Sequence, residues 1–432
     1  MIGLTPLSPS LSPSYWVPAR YFILGFLSFP LVHLSMALGA GRELFRGNFL
    51  SWEVAGIVHW AILGWLLPVV LGALHQLIPV LLNAGLRWPR LADLYYVLLL
   101  GGLFLLLAGF LRGTGVLLGV GGGTVLSAVL LALVNLGASF VRSHRERGPV
   151  QYYGIGLSLL FLGLTAVAGG TMSILLALNS SFPFLSFLGF HISGGMLGWL
   201  TVLIVAVAYR LIPMFSLSHG YSVRWQPWAL ALLAAGAAGE MVSFALAGRI
   251  SLLALGAVTV GFLLFLRDVA EIVARRRRRE MEPVTLYSLA ACAAGLLALF
   301  SGWVSLAGGG WRYGVAAMYL GLFGWGSLMA AGQMLKIVPF LTWLHRFGER
   351  AGKEKVPLAR ELYSEKAARF SFFLLPPATV LSGLGLALGE GTLFRAMEAL
   401  AFGGSLVWAF CMWQVVAPVL FPPRMGPLPA RR

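Results

Sequence analysis

The sequence predicts an all-α polytopic membrane protein: twelve transmembrane helices arranged as three pseudo-symmetric four-helix units. Composition, an internal repeat and the distribution of basic residues predict it. Of 432 residues, 59% are hydrophobic and 11% charged, and the mean hydropathy is +0.86; a soluble domain of this length does not carry such a balance. The repeat is a Gly-Trp followed by thirteen residues and a Pro. Its copies are Leu63-Gly64-Trp65 with Leu77-Ile78-Pro79, Leu197-Gly198-Trp199 with Leu211-Ile212-Pro213, and Phe323-Gly324-Trp325 with Ile337-Val338-Pro339. They lie 134 and 126 residues apart, so each unit holds several helices rather than one.

Crossing about 30 Å of hydrocarbon takes about 20 apolar residues in a helix. On that rule the spans run near 21–41, 53–83, 94–111, 116–141, 153–178, 184–214, 227–247, 250–274, 284–306, 313–341, 370–388 and 394–421. They form one transmembrane domain over 1–432, with repeat units at about 21–141, 153–274 and 284–421. The Gly-Trp helix is the second of each unit, that is spans 2, 6 and 10. Its glycine lets a neighbouring helix approach closely, and its tryptophan reads as a packing residue. Pro68, Pro79, Pro213 and Pro339 are expected to kink or end their helices.

Charge orients the spans. With the N-terminus inside, all 31 Lys and Arg except Arg42, Arg46, Arg112, Arg249, Arg312 and Arg395 fall on the inner side. The inner groups include Arg87, Arg90, the basic residues from Arg142 to Arg147, the run Arg275 to Arg279, and those from Arg346 to Lys366. This asymmetry places both termini on the cytoplasmic side; the membrane is expected to be the inner membrane of a bacterium or archaeon. It also removes nucleic acid as the meaning of a +16 chain, because the arginine run ends a membrane helix. Residues 1–20 lack a basic region before an apolar core and read as a short tail. Cys292 and Cys411 lie in apolar runs and give neither a disulfide framework nor a thiolate metal site. Gly121-Gly122-Gly123 is inside a span, so it is no phosphate loop. The longest polar segment, Leu344 to Arg369, reads as a solvated loop.

Ionisable groups at membrane depth are costly and therefore mark function. His33 lies eight residues from Gly41, His59 eight from Ser51 and His191 eight from Pro183, each near the outer end of its span. Glu240 lies eight residues before Gly248. At 1.5 Å per residue all four sit about 12 Å below the outer surface. Imidazole there is a ligand to a metal or haem iron, a proton relay or a hydrogen-bonded structural group; the carboxylate is a proton carrier or a partner for an imidazole. His75 lies sixteen residues beyond His59, about 24 Å along the axis and about 160° round it. It would serve a second haem only with His219 or His345 as inner ligand. Gln76, Arg210 and Lys336 each precede a repeat Pro by three residues, where snorkelling to headgroups accounts for the cations.

Twelve helices, inner termini, a three-fold repeat and histidines near the outer ends of spans 2 and 6 resemble subunit I of the haem-copper oxidase superfamily, which includes the nitric oxide reductases. The segments from His59 to Pro79 and from Phe190 to Phe215 are similar to those of its divergent members. The resemblance implies that His59 occupies the position of a low-spin haem ligand and His191 that of a copper ligand. The departures are large. Ile192-Ser193-Gly194-Gly195 stands where Pro-Glu-Val-Tyr is implied, span 7 has no His-His pair, and Ala317 and Tyr319 stand where span 10 should carry His-x-His. The resemblance therefore implies the fold without the oxygen- or nitric oxide-reducing centre.

What it leaves open is a membrane redox subunit, and so an oxidoreductase component, holding one haem b. The ligands would be His59 with His33 or His191, or with Met318 or Tyr319 as a weak axial group. Copper is the second cofactor these histidines suit. The partners implied are the lipid bilayer, a quinol or periplasmic electron donor and further subunits. The alternative is a non-redox transporter, assembly factor or sensor for copper, haem or protons on the same fold.

Overall fold

Apolar side chains on every face, and the need to satisfy each backbone N–H and C=O inside the segment, leave the helix as the structure these stretches can adopt in lipid. The computed structural model describes residues 13–421 apart from 83–84, 143–149, 247, 249 and 279. Of the tail expected over 1–20, residues 1–12 lie outside the described residues and those from Trp16 on already belong to the first helix; most of the basic loop after Arg142 and the positions of Arg249 and Arg279 also lie outside the described residues. Twelve helices are long and apolar enough to cross a membrane, and no strand is found among the described residues. In chain order they are α1 Trp16–Ala37, α2 Trp52–Ile78, α3 Leu91–Arg112, α4 Gly115–Arg142, α5 Val150–Ala177, α6 Phe184–Ser216, α7 Gln226–Phe244, α8 Ser251–Ala274, α9 Pro283–Gly309, α10 Trp311–Phe347, α11 Glu365–Leu388 and α12 Gly391–Leu420. The protein is an all-α polytopic membrane protein.

The first helix ends four residues earlier than its apolar run suggests. Gly39 and Gly41 adopt φ of 107° and 89°, a left-handed turn that side chains disfavour, and the chain leaves the helix there. Pro213 and Pro339 lie inside α6 and α10 without ending them.

Sequential helices pack side by side from α3 to α6, and α1 closes against both α2 and α12. The three Gly-Trp helices share a feature that their residue types do not announce: each is π-helical around its Gly-Trp, over Trp60–Leu66, Gly194–Thr201 and Leu320–Ser327. A π-turn carries an extra residue, which swings everything beyond it by about 100° relative to a straight α-helix.

Each repeat glycine also makes the same kind of contact, against the helix that precedes its own. A Cβ on Gly64 would lie 2.8 Å from Ser28 Oγ of α1, on Gly198 2.5 Å from the Phe161 ring of α5, and on Gly324 2.6 Å from the Ala294 methyl of α9. The adjacent tryptophans are buried. Trp65 stacks on Phe29 at 4.3 Å, and Trp325 donates from Nε1 to Thr201 Oγ1 of α6 at 3.1 Å.

Inward of the π-turns, α2, α6 and α10 surround an apolar cavity of about 80 Å³. On α2 its lining residues are Leu66, Val69, Val70, Ala73, Leu74 and Leu77. Counted from the repeat tryptophan, the same six positions of α6 and of α10 complete the wall. A void of this size costs about 2 kcal/mol at roughly 24 cal/mol per Å³.

Candidate functional site

Outward of the π-turns the three helices carry different residues, and polar groups gather. His59 lies seven residues into α2 and His191 seven into α6, about 10 Å along each helix. Their rings come together, with centroids 6.0 Å apart and planes 14° from parallel. Each ring is half-buried. Phe110 of α3 covers His59 at 5.0 Å. His191 rests on α5 at Gly169, where a Cβ would lie 2.6 Å from its Cε1 and 2.9 Å from its Nδ1; only a residue without a side chain fits beneath it.

The hydrogen bonds fix the tautomers. His59 Nδ1–H donates to the Ala55 carbonyl at 2.7 Å and His191 Nδ1–H to the Thr165 carbonyl at 2.8 Å. A carbonyl can only accept, so Nδ1 carries the proton in both rings and both Nε2 atoms keep their lone pairs. This is the arrangement that orients a metal-ligating imidazole. Two imidazoles sharing one ion at about 2.0 Å per bond hold their ring centres about 6 Å apart, so the separation of these rings suits a single ion between them. Among the described residues no group of three or more His, Cys, Asp or Glu could hold a metal; the pair would need ligands beyond these side chains, as haem provides.

His33 does not join this pair. Its Nδ1–H donates to Glu398 Oε2 of α12 at 2.7 Å, and the Tyr319 hydroxyl of α10 donates to the other carboxylate oxygen. All three side chains are buried, His33 packs between Phe29 and Phe323, and its Nε2 has no partner. Tyr319, considered above as an axial ligand, is thus engaged by Glu398, and Met318 beside it is 56% exposed. Glu398 lies seven residues into α12, in the same outer layer. Sequence reasoning missed it because it stands near the end of a span, where a carboxylate usually reaches water.

Glu240 is also apart from the histidines. Ser251 of α8 donates to its two oxygens at 2.8 and 3.1 Å, a link between α7 and α8. His75, buried near the inner end of α2, is hydrogen-bonded through Nε2 to the Tyr95 hydroxyl and packs on Tyr21. Neither expected inner partner meets it: His219 is exposed, with Nδ1–H on the Leu217 carbonyl at 2.9 Å, and His345 stacks on Tyr15 at 5.0 Å. Lys336 does more than snorkel, since it pairs with Glu282 at the start of α9. A third buried carboxylate, Asp268 of α8, accepts from Tyr209 at 3.1 Å and from Arg267 at 2.7 Å.

No protein-family model matches the chain, and no curated protein is significantly similar to it. The site is therefore read from its own geometry.

Proposed function

We propose that this protein is a membrane-embedded redox subunit that holds one b-type haem between α2 and α6 through His59 and His191. One observation carries the reading: two neighbouring imidazoles, both locked by backbone carbonyls in the tautomer that frees Nε2, at the spacing of a shared iron. Bound haem supplies reversible one-electron exchange. The chain's own residues do the rest. Ala55 and Thr165 hold the ring orientations and raise the basicity of the ligating nitrogens. Gly169 and Phe110 set how far each ring can turn. The half-buried rings lie in the outer layer of the bundle, the level at which a quinol in the bilayer or a donor at the outer face would exchange electrons with a partner subunit. The positive-inside charge distribution supports cytoplasmic termini.

The pairing of helices 2 and 6 departs from the oxidase pattern, in which helix 10 supplies the opposing haem ligand. Here α10 offers Ala317 and a Tyr319 already bound to Glu398, which supports electron transfer rather than oxygen or nitric oxide reduction. A second reading, copper carriage, is favoured by the donor set alone, since two imidazole nitrogens in line satisfy a cuprous ion.

Absorption spectra and metal analysis of the purified full-length protein separate the two. Haem predicts a reduced α-band and one iron per chain, both lost in His59→Ala and in His191→Ala; copper predicts a colourless protein with one copper per chain. If neither metal is found or can be reconstituted, or if both variants retain wild-type content, the assignment fails.

A further inference from the structure

The cavity lined by α2, α6 and α10 lies apart from the histidine pair, beginning seven residues beyond His59 at Leu66. Its lining runs from the residue after each repeat tryptophan to the twelfth, about 16 Å along the axis. Of its eighteen lining residues only Gln333 carries a polar side chain; its Nε2 donates to Ser288 Oγ at 3.0 Å, and its Oε1 is the one group left without a partner among the described lining residues. An ordered buried water needs two to four polar partners. One amide cannot supply them, so water does not hold this space.

Size narrows the occupant further. At 80 Å³ the cavity is about half of one that admits benzene or xenon in a soluble protein, roughly 150 Å³. A ring or a lipid tail is too large, whereas a diatomic gas or a single xenon atom fits. Such molecules concentrate in the bilayer, which surrounds this bundle. The space is kept open by small residues on each of the three helices, Ala73 on α2, Ala208 on α6 and Ala330 on α10, where leucine would close it.

We propose that the three repeat helices form a dry axial site that takes up small apolar gas molecules of the size of dioxygen. The site binds by dispersion and by exclusion of water, with no directional bond, so it selects by volume. It is independent of the metal assignment above.

Xenon is the probe. Crystals of the full-length protein pressurised with xenon are expected to show a bound atom between α2, α6 and α10, and xenon-129 exchange spectra of the protein in nanodiscs to report a bound state. Ala208→Leu with Ala330→Leu should reduce axial occupancy at least tenfold. Because the double variant could fold poorly, Ala330→Leu alone is measured beside it, with thermal melting as the fold control, and should lower occupancy several-fold. Xenon confined to lipid-facing grooves of the wild type, ordered water on the axis, or undiminished axial xenon in a folded filling variant overturns the proposal.

Discussion

Gly324→Ala tests whether the repeat glycines are packing devices. The added methyl would stand 2.6 Å from Ala294 Cβ, against an ordinary carbon separation of about 3.5–4.0 Å. Ala294 is fully buried and has no rotamer through which to withdraw. The backbones of α9 and α10 must therefore separate by about 1 Å, and overpacking of this kind costs about 1–3 kcal/mol. Alanine returns up to about 1 kcal/mol through its better helix propensity, so the net expectation is a loss of about 1 kcal/mol. Gly101 and Gly123 are the internal controls, because a Cβ on either meets nothing within 4 Å. Their alanine variants should be as stable as the wild type or gain up to about 1 kcal/mol. Unfolding in mixed micelles by titrated dodecyl sulfate, followed by tryptophan fluorescence, ranks the three. Ala294→Gly combined with Gly324→Ala should recover part of the loss, which appears as a favourable coupling term. If Gly324→Ala is as stable as Gly123→Ala, the close approach does not constrain the bundle and the reasoning is wrong.

Two further substitutions probe the polar layer. Gly169→Ala places a methyl 2.6 Å from His191 Cε1; it should turn the ring away from His59 and lower metal or haem content at least tenfold while the melting temperature changes little, as read by absorbance and metal analysis beside a thermal melt. Glu398→Leu strands the His33 Nδ1–H and the Tyr319 hydroxyl without their acceptor and should cost about 3 kcal/mol in the same unfolding titration, since each buried orphan costs about 1–3 kcal/mol. Glu398→Gln keeps a hydrogen-bonding side chain of equal size and should cost less than half as much; equal losses for the two variants would show that the hydrogen bonds are not what matters.

The twelve spans were legible because lipid imposes length and apolarity on each helix separately, and the Gly-Trp frame marked the three helices that meet on the axis. The loop between Ala37 and Trp52 was less so, because apolar residues continue past the turn that Gly39 and Gly41 make. In the site, depth along a helix could be counted, and His59 and His191 do lie at one level. Direction could not be counted. His33 shares their layer yet faces α12, and its partner Glu398 is 365 residues away in sequence. A contact across that separation leaves no trace in spacing or periodicity, and a carboxylate one turn inside a span looks like one that reaches water.

The repeat is a good guide to the half of the bundle inward of the π-turns and a poor guide to the other. Inward of them, equivalent positions face the same cavity in all three helices, as a faithful repeat requires. Outward of them, His59 precedes its tryptophan by six residues and His191 by eight, so the two are not repeat equivalents. They nevertheless meet at 6.0 Å. Aligning the copies directs attention to Ala317 and Tyr319 of α10, where equivalence would put a ligand, whereas the geometry draws the ligands from unequal positions on α2 and α6. Each helix begins its π-turn five residues before its tryptophan, so the swing of about 100° is common to all three, and the inequivalence of the outer segments lies in their side chains. Chemistry can then be assembled from whatever side chains the altered faces bring together, while the inner halves go on packing as three copies of one helix.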